Sequence, residues 1–209
     1  MSDDARGEDL SGDDRSDGDR SSQDDMEDDD VSSGFRRSRK GQVAMSLSPQ
    51  EARVIRHVLG EMLELLGPSE SPDQDPLAAA VDIGTTTVVP DDSALARLFP
   101  DGYTDDPDAS ADFRRYTEPG LREAKRSAAR TALATLGEPG GKRVLTTEES
   151  EAWLRALNDT RLVLGERLGI TEDWDELVAG LSDGDPRLAL FWVYDRLTYL
   201  QETLVRALW

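Results

Sequence analysis

Across 209 residues, 44 acidic side chains outnumber 24 basic ones, giving a net charge of −20, and the chain holds one histidine and no cysteine. Disulfides, thiol nucleophiles, thiol redox sensors and Cys/His zinc sites are therefore excluded. A balance this acidic also repels a polyanion at long range, so strong nonspecific nucleic-acid binding is not expected.

Residues 1–30 hold 14 acids against Arg6, Arg15 and Arg20. Apart from Met1, Leu10, Met26 and Val31 are the only large aliphatics before residue 35. Such a segment buries too little apolar surface to offset the entropy of ordering its backbone. Residues 1–34 are thus expected to form a disordered acidic tail. No basic start leads into an apolar run, so no secretory signal is expected. No apolar stretch approaches the roughly 18 residues a membrane span needs, and a cytoplasmic location follows as an expectation. The acidic run Asp24–Asp30 lacks the spaced ligands and turn glycine of a calcium loop and reads as solvated charge.

Residues 35–209 read as one domain. Val43, Met45 and Leu47 alternate as in a strand, and a polar turn at Ser38–Gly41 suggests a hairpin with the segment from Gly34 to Arg37. Ser48, Pro49 and Glu51 form a helix start with a capping box. Val54, Ile55, Val58, Leu59, Met62, Leu65 and Leu66 follow at helical spacing until Gly67-Pro68. A small helix is expected from Asp75 to Val81, an extended segment over Gly84–Val89, and a short helix from Pro90 to Leu98. A long helix should run from Pro107 to Leu136, kinked or split at Pro119-Gly120. In its second half Ala124, Ala128, Thr131, Ala132 and Thr135 offer a small-residue contact face.

After a turn at Gly137–Gly141, Arg143–Leu145 suits a brief strand. Thr146 and Glu149 make a second capping box for a helix with Trp153, Leu154, Leu157, Leu164 and Leu168 on one side. A short helix is expected around Trp174–Leu181. Asp185-Pro186 opens the last helix, with a stripe of Leu190, Val193, Tyr194, Leu197, Leu200, Leu204, Val205 and Leu208. The expected fold is mainly α, a helical bundle-like single domain with a minor N-terminal β element.

Candidate chemistry is sparse. His57, the sole histidine, falls outside the apolar stripe of its helix and reads as solvated, with no partner for acid–base work. The stretch Gly137–Arg143 resembles a phosphate loop, but Leu136 and Arg143 stand where glycine and Ser/Thr are required. Arg36, Arg37, Arg39 and Lys40 form a local basic cluster, which suits a solubilising strand edge or a partner contact. Arg161 and Gln201 interrupt apolar stripes; a buried polar network is expected, with a carboxylate for the arginine, or else a ligand pocket. Trp153 reads as core. Trp192 lies opposite its helix's stripe and is a candidate protein-contact anchor.

Four stretches carry a resemblance: PDDSALARLFPDGY (90–103), DFRRYTEPGLREAK (112–125), EAWLRALNDTRLVLGERLGI (151–170) and VYDRLTYLQETLVRAL (193–208). They resemble the actinobacterial AosR-type family, catalogued as a domain of unknown function. The resemblance spans about residues 35–209. It implies a cytoplasmic, helical, non-enzymatic transcriptional regulator linked to oxidative stress, and it supplies no catalytic residues. With no cysteine, any such role here must use something other than disulfide chemistry.

No catalytic, cofactor-binding or metal-ligating residues are nominated, and an enzyme is not expected. The leading expectation is a regulator that works through protein contacts with RNA polymerase or a sigma factor. Its candidate contacts are the Arg36–Lys40 cluster and Trp192, and direct DNA contact is left open. The alternative is an adaptor or scaffold unconnected with transcription.

Overall fold

The computed structural model describes residues 33–68, 90–137 and 142–209. The acidic tail, apart from Ser33 and Gly34, lies outside these residues. So do the helix expected over Asp75–Val81, the extended segment at Gly84–Val89, and most of the Gly137–Gly141 turn.

Among the described residues the chain forms three strands and six helices. In order these are β1 (Gly34–Arg37), β2 (Val43–Ser46), α1 (Pro49–Leu66), α2 (Ser93–Leu98), α3 (Pro107–Leu136), β3 (Lys142–Leu145), α4 (Thr147–Leu168), α5 (Trp174–Ala179) and α6 (Arg187–Leu208). The fold is mainly helical with a small sheet. That sheet has the order β1-β2-β3 and is antiparallel throughout; Phe35 faces Met45, and Met45 faces Arg143. The third strand is the brief one expected at Arg143–Leu145, and it joins the N-terminal hairpin. No helix among the described residues is long and apolar enough to cross a membrane.

Helix ends follow local chemistry. Ser48 and Glu51 cap α1 reciprocally, with Glu51 N donating to Ser48 Oγ at 3.2 Å and Ser48 N donating to Glu51 Oε2 at 2.8 Å. Thr146 and Glu149 do the same for α4. The Asp92 carboxylate accepts from Ala94 N and Leu95 N, so α2 starts at Ser93 rather than at Pro90. Asp185 accepts from Arg187 N at 2.9 Å and opens α6.

α4 is the hub: α1, α2, α3, α6 and β3 all pack on it. Trp153 is fully buried and meets Phe35 edge-on at 5.5 Å between ring centroids. Its indole N–H donates to Thr135 Oγ1 at 2.8 Å, which satisfies a polar group that burial would otherwise penalise. Around it lie Met45, Leu157, Leu197, Leu200 and Leu204, each side chain contributing about 1.5–3 kcal/mol by leaving water. A second cluster forms where Met62 and Leu66 of α1 meet Leu98, Phe99 and Val163.

Three sequence expectations need correction. Of the kink or split expected at Pro119-Gly120, the split is absent: α3 is one continuous helix there. Proline removes a single hydrogen bond there, while Glu118 ties the turns on both sides through Arg114 and Arg122. The buried face of its second half is Ala128, Ala129, Ala132 and Thr135, and Ala124 is exposed. In α6 the buried line runs through Phe191, Leu197, Leu200, Leu204 and Ala207, while Leu190 and Val205 are exposed. That face packs on α4 and β1, and Trp174 from α5 stacks on Phe191 at 6.3 Å between ring centroids.

Gly34 is required where it stands. Its φ of 141° is strained for other residues, and a Cβ there would lie 3.1 Å from Thr203 Oγ1. The same threonine hydroxyl accepts from Phe35 N at 3.2 Å, so α6 covers the outer edge of β1.

Candidate protein-contact groove

α3, α4 and α6 diverge around an open groove of about 710 Å³. Leu121, Ala124 and Lys125 come from α3, Leu154, Arg155, Asn158 and Asp159 from α4, and Gln201 and Val205 from α6, with Trp209 at the end. Its wall is apolar and open to solvent. Leu121 is 48 % exposed, Val205 39 % and Trp209 80 %. Farther along α3, Phe113 and Tyr116 are also exposed, and Tyr103 packs edge-on against Phe113 at 6.0 Å. Exposed aromatics beside aliphatics in a concave surface are the material of protein-contact hot spots.

The floor is polar and paired. Lys125 Nζ donates to Asp159 Oδ1 at 2.8 Å, joining α3 to α4. Gln201 Oε1 accepts from Arg161 Nη1 at 2.8 Å, joining α4 to α6. Arg161 Nε donates to Thr198 Oγ1 at 2.9 Å, and the guanidinium lies 5.3 Å from the centre of the Tyr194 ring. The structure thus brings Arg161 and Gln201 together. The carboxylate expected for Arg161 is not what it meets: neutral acceptors and an aromatic face spread its charge, and a side of it opens onto a hollow of about 330 Å³ that Arg97 and Tyr194 also line.

A buried ionic ladder, not anticipated from the sequence, braces the α3 wall. Arg114 is 4 % exposed, donating to Phe99 O at 3.0 Å, Glu118 Oε2 at 2.9 Å and Asp101 Oδ1 at 2.9 Å. Arg122 donates to Glu118 Oε1 at 2.6 Å and to Leu66 O at 2.7 Å, with its guanidinium over the Phe99 ring. Hydrogen bonds from Arg114 and Ser110 hold the Asp101 carboxyl below its ordinary pKa. Burial pushes the Arg114 guanidinium down, but Glu118 and Asp101 outweigh it and the net shift is upward. The signal was present in the sequence as Arg114, Glu118 and Arg122 at i, i+4 spacing with alternating sign.

A second cluster joins the chain before β1 to the body. Ser33 Oγ donates to Glu51, and Arg196 of α6 pairs with Glu51 and donates to Ser33 Oγ at 2.9 Å. Burial raises the Glu51 pKa, but bonds from Ser33 and Ser48 and the charge of Arg196 more than offset it, leaving the carboxyl below its usual value.

The other nominated residues lie apart from the groove. Arg36, Arg37, Arg39 and Lys40 are exposed on β1 and the following turn. Trp192 is 48 % exposed on α6 and does not line the groove. His57 is exposed on α1 beside a small apolar hollow. Among the described residues, no three His, Asp or Glu side chains converge as a metal site.

Residues 32–208 match the model of a domain of unknown function, DUF2017. The chain is also similar to the oxidative stress regulator AosR of Mycobacterium tuberculosis and of Mycobacterium bovis, and to the putative oxidative stress regulator AosR of Mycobacterium leprae. Each is 38 % identical over 178 residues, covering 78 % of this chain and 80 % of the relative. No solved structure matches. With the family model and these relatives both spanning most of its length, the chain belongs to the DUF2017 family and is a relative of the mycobacterial AosR proteins.

Proposed function

We propose that this protein is a non-enzymatic regulator of the oxidative stress response that acts on transcription through protein contacts, with RNA polymerase or a sigma factor as its partner. The observation that carries this reading is the groove between α3, α4 and α6. Its exposed Leu121, Val205 and Trp209 form an apolar wall suited to a partner's helix or loop. Two further points support it. The relatives at 38 % identity are named oxidative stress regulators. The net charge of −20 favours a polypeptide partner over a nucleic acid. Without cysteine, the chain receives its signal through partner binding or abundance and not through a thiol.

The test is co-migration on size exclusion of purified protein with RNA polymerase core, with holoenzyme and with free sigma factor. The reading expects a stable complex with at least one of these. Co-migration with none of them, and recovery of metabolic or proteolytic proteins by affinity capture from cells, would replace it with an adaptor outside transcription.

A further inference from the structure

Strand pairing enlarges the basic hairpin. The register places Lys142 opposite Ser46 and Arg143 opposite Met45; Lys142 thereby shares the outward face with Arg36, while Arg143 and Arg37 fall on the face of Met45 and Val43, exposed at the sheet's margin. With Arg39 and Lys40, segments 33–47 and 142–146 together carry six cations and no carboxylate, within a chain of net charge −20. All six side chains are exposed. Strand alternation puts Arg36, Ala44 and Val144 in one row on the face away from the buried Phe35 and Met45, with Lys142 on that same face. Val144 is 52 % exposed and adds an apolar contact to the charged row.

The two edges of the sheet differ. α6 covers the β1 edge through Thr203. β3 pairs only with β2, and its other edge has no strand beside it among the described residues. Lys and Arg on such an edge oppose pairing with a second basic copy and favour an acidic strand. The Glu149 carboxylate stands 3.7 Å from Arg143, a long contact, and its other oxygen is engaged in capping α4.

We propose that the β3 edge and the outward face of this sheet bind an acidic segment of a partner polypeptide, which adds in extended form as a fourth strand. Backbone pairing would supply affinity, and acidic side chains at alternate positions would meet the Arg36 and Lys142 face. Size favours a peptide over a duplex. Three four-residue strands make a patch of roughly 13 Å by 10 Å. Duplex DNA carries one charge about every 1.7 Å and would run past this patch onto a body that repels it. This surface is separate from the apolar groove and does not depend on the transcriptional reading.

The test titrates a fluorescein-labelled peptide of about a dozen residues, alternating Glu and Val, against the full chain at roughly 50 and 500 mM NaCl. A peptide alternating Lys and Val and a duplex of about 20 base pairs serve as comparisons. The proposal expects saturable binding of the acidic peptide, weakened by salt, and slowed amide exchange over Lys142–Leu145. The combined change Arg36→Glu and Lys142→Glu should weaken binding at least about tenfold. Arg36→Gln with Lys142→Gln should weaken it less, with far-UV circular dichroism unchanged. Absent binding, equal binding of the Lys peptide, tighter binding of the duplex, or affinity indifferent to both variant pairs would overturn it.

Discussion

Arg114 is charged, almost fully buried, and bonded to a carbonyl and two carboxylates. Deleting one member of such a set leaves the others desolvated and underpaired, at a cost of about 3–5 kcal/mol. Arg114→Leu should therefore lower the urea midpoint sharply, whereas Arg115→Leu, on a half-exposed side chain paired with Asp112, should change it little. Equal effects would show that the ladder does not brace α3. Glu51 makes a different prediction. Its folded-state pKa lies below the ordinary value, so its contribution is present above the carboxylate range and is lost as pH falls through the lowered value. Glu51→Gln should destabilise near pH 7 and flatten the loss of stability below about pH 4. An acid limb as steep as that of the native chain would contradict the assignment. Some of this residue chemistry was legible in advance: Ser48–Glu51 and Thr146–Glu149 are local pairs readable as capping boxes. The attachment of Arg196 to Glu51 and Ser33 was not, because it joins residues more than a hundred positions apart.

Elements were readable where the cause was local and misread where a neighbour decided. The apolar stripe of α1 is buried as its spacing requires, with Ile55, Leu59, Met62 and Leu66 inside. In α6 several faces carry apolar residues, and the one packed on α4 and β1, with Phe191 beside Trp174, is the one buried. β3 could be read as extended but not paired, since its partner lies about a hundred residues earlier. Pro119 was expected to kink or split α3; it does not split it, and the Arg114–Glu118–Arg122 ladder spans it. Pro119→Ala should restore one backbone hydrogen bond and raise the thermal midpoint, by an amount corresponding to about 1–3 kcal/mol. A lower midpoint would mean that the proline ring packs usefully in place.

At the scale of the molecule, the groove could not be read from any single segment. It needs the α3 residues near 121–125, the α4 residues near 154–159 and the end of α6 brought side by side. Val205 looked like a core residue on its helix; packing turns it outward, beside Trp209, into one concave wall. Leu121→Glu with Val205→Glu changes two half-exposed side chains and should leave the unfolding midpoint within about 0.5 kcal/mol of the parent. Stability loss well beyond this would make the surface structural.

The most direct measurement compares the native chain with this double variant, binding labelled RNA polymerase holoenzyme and, separately, promoter DNA across a salt series. Native protein is predicted to bind holoenzyme, the variant to lose at least about tenfold in affinity, and promoter DNA alone to be bound weakly by both. Holoenzyme binding unaffected by the variant, or tight promoter binding without polymerase that falls steeply with salt, would contradict the account.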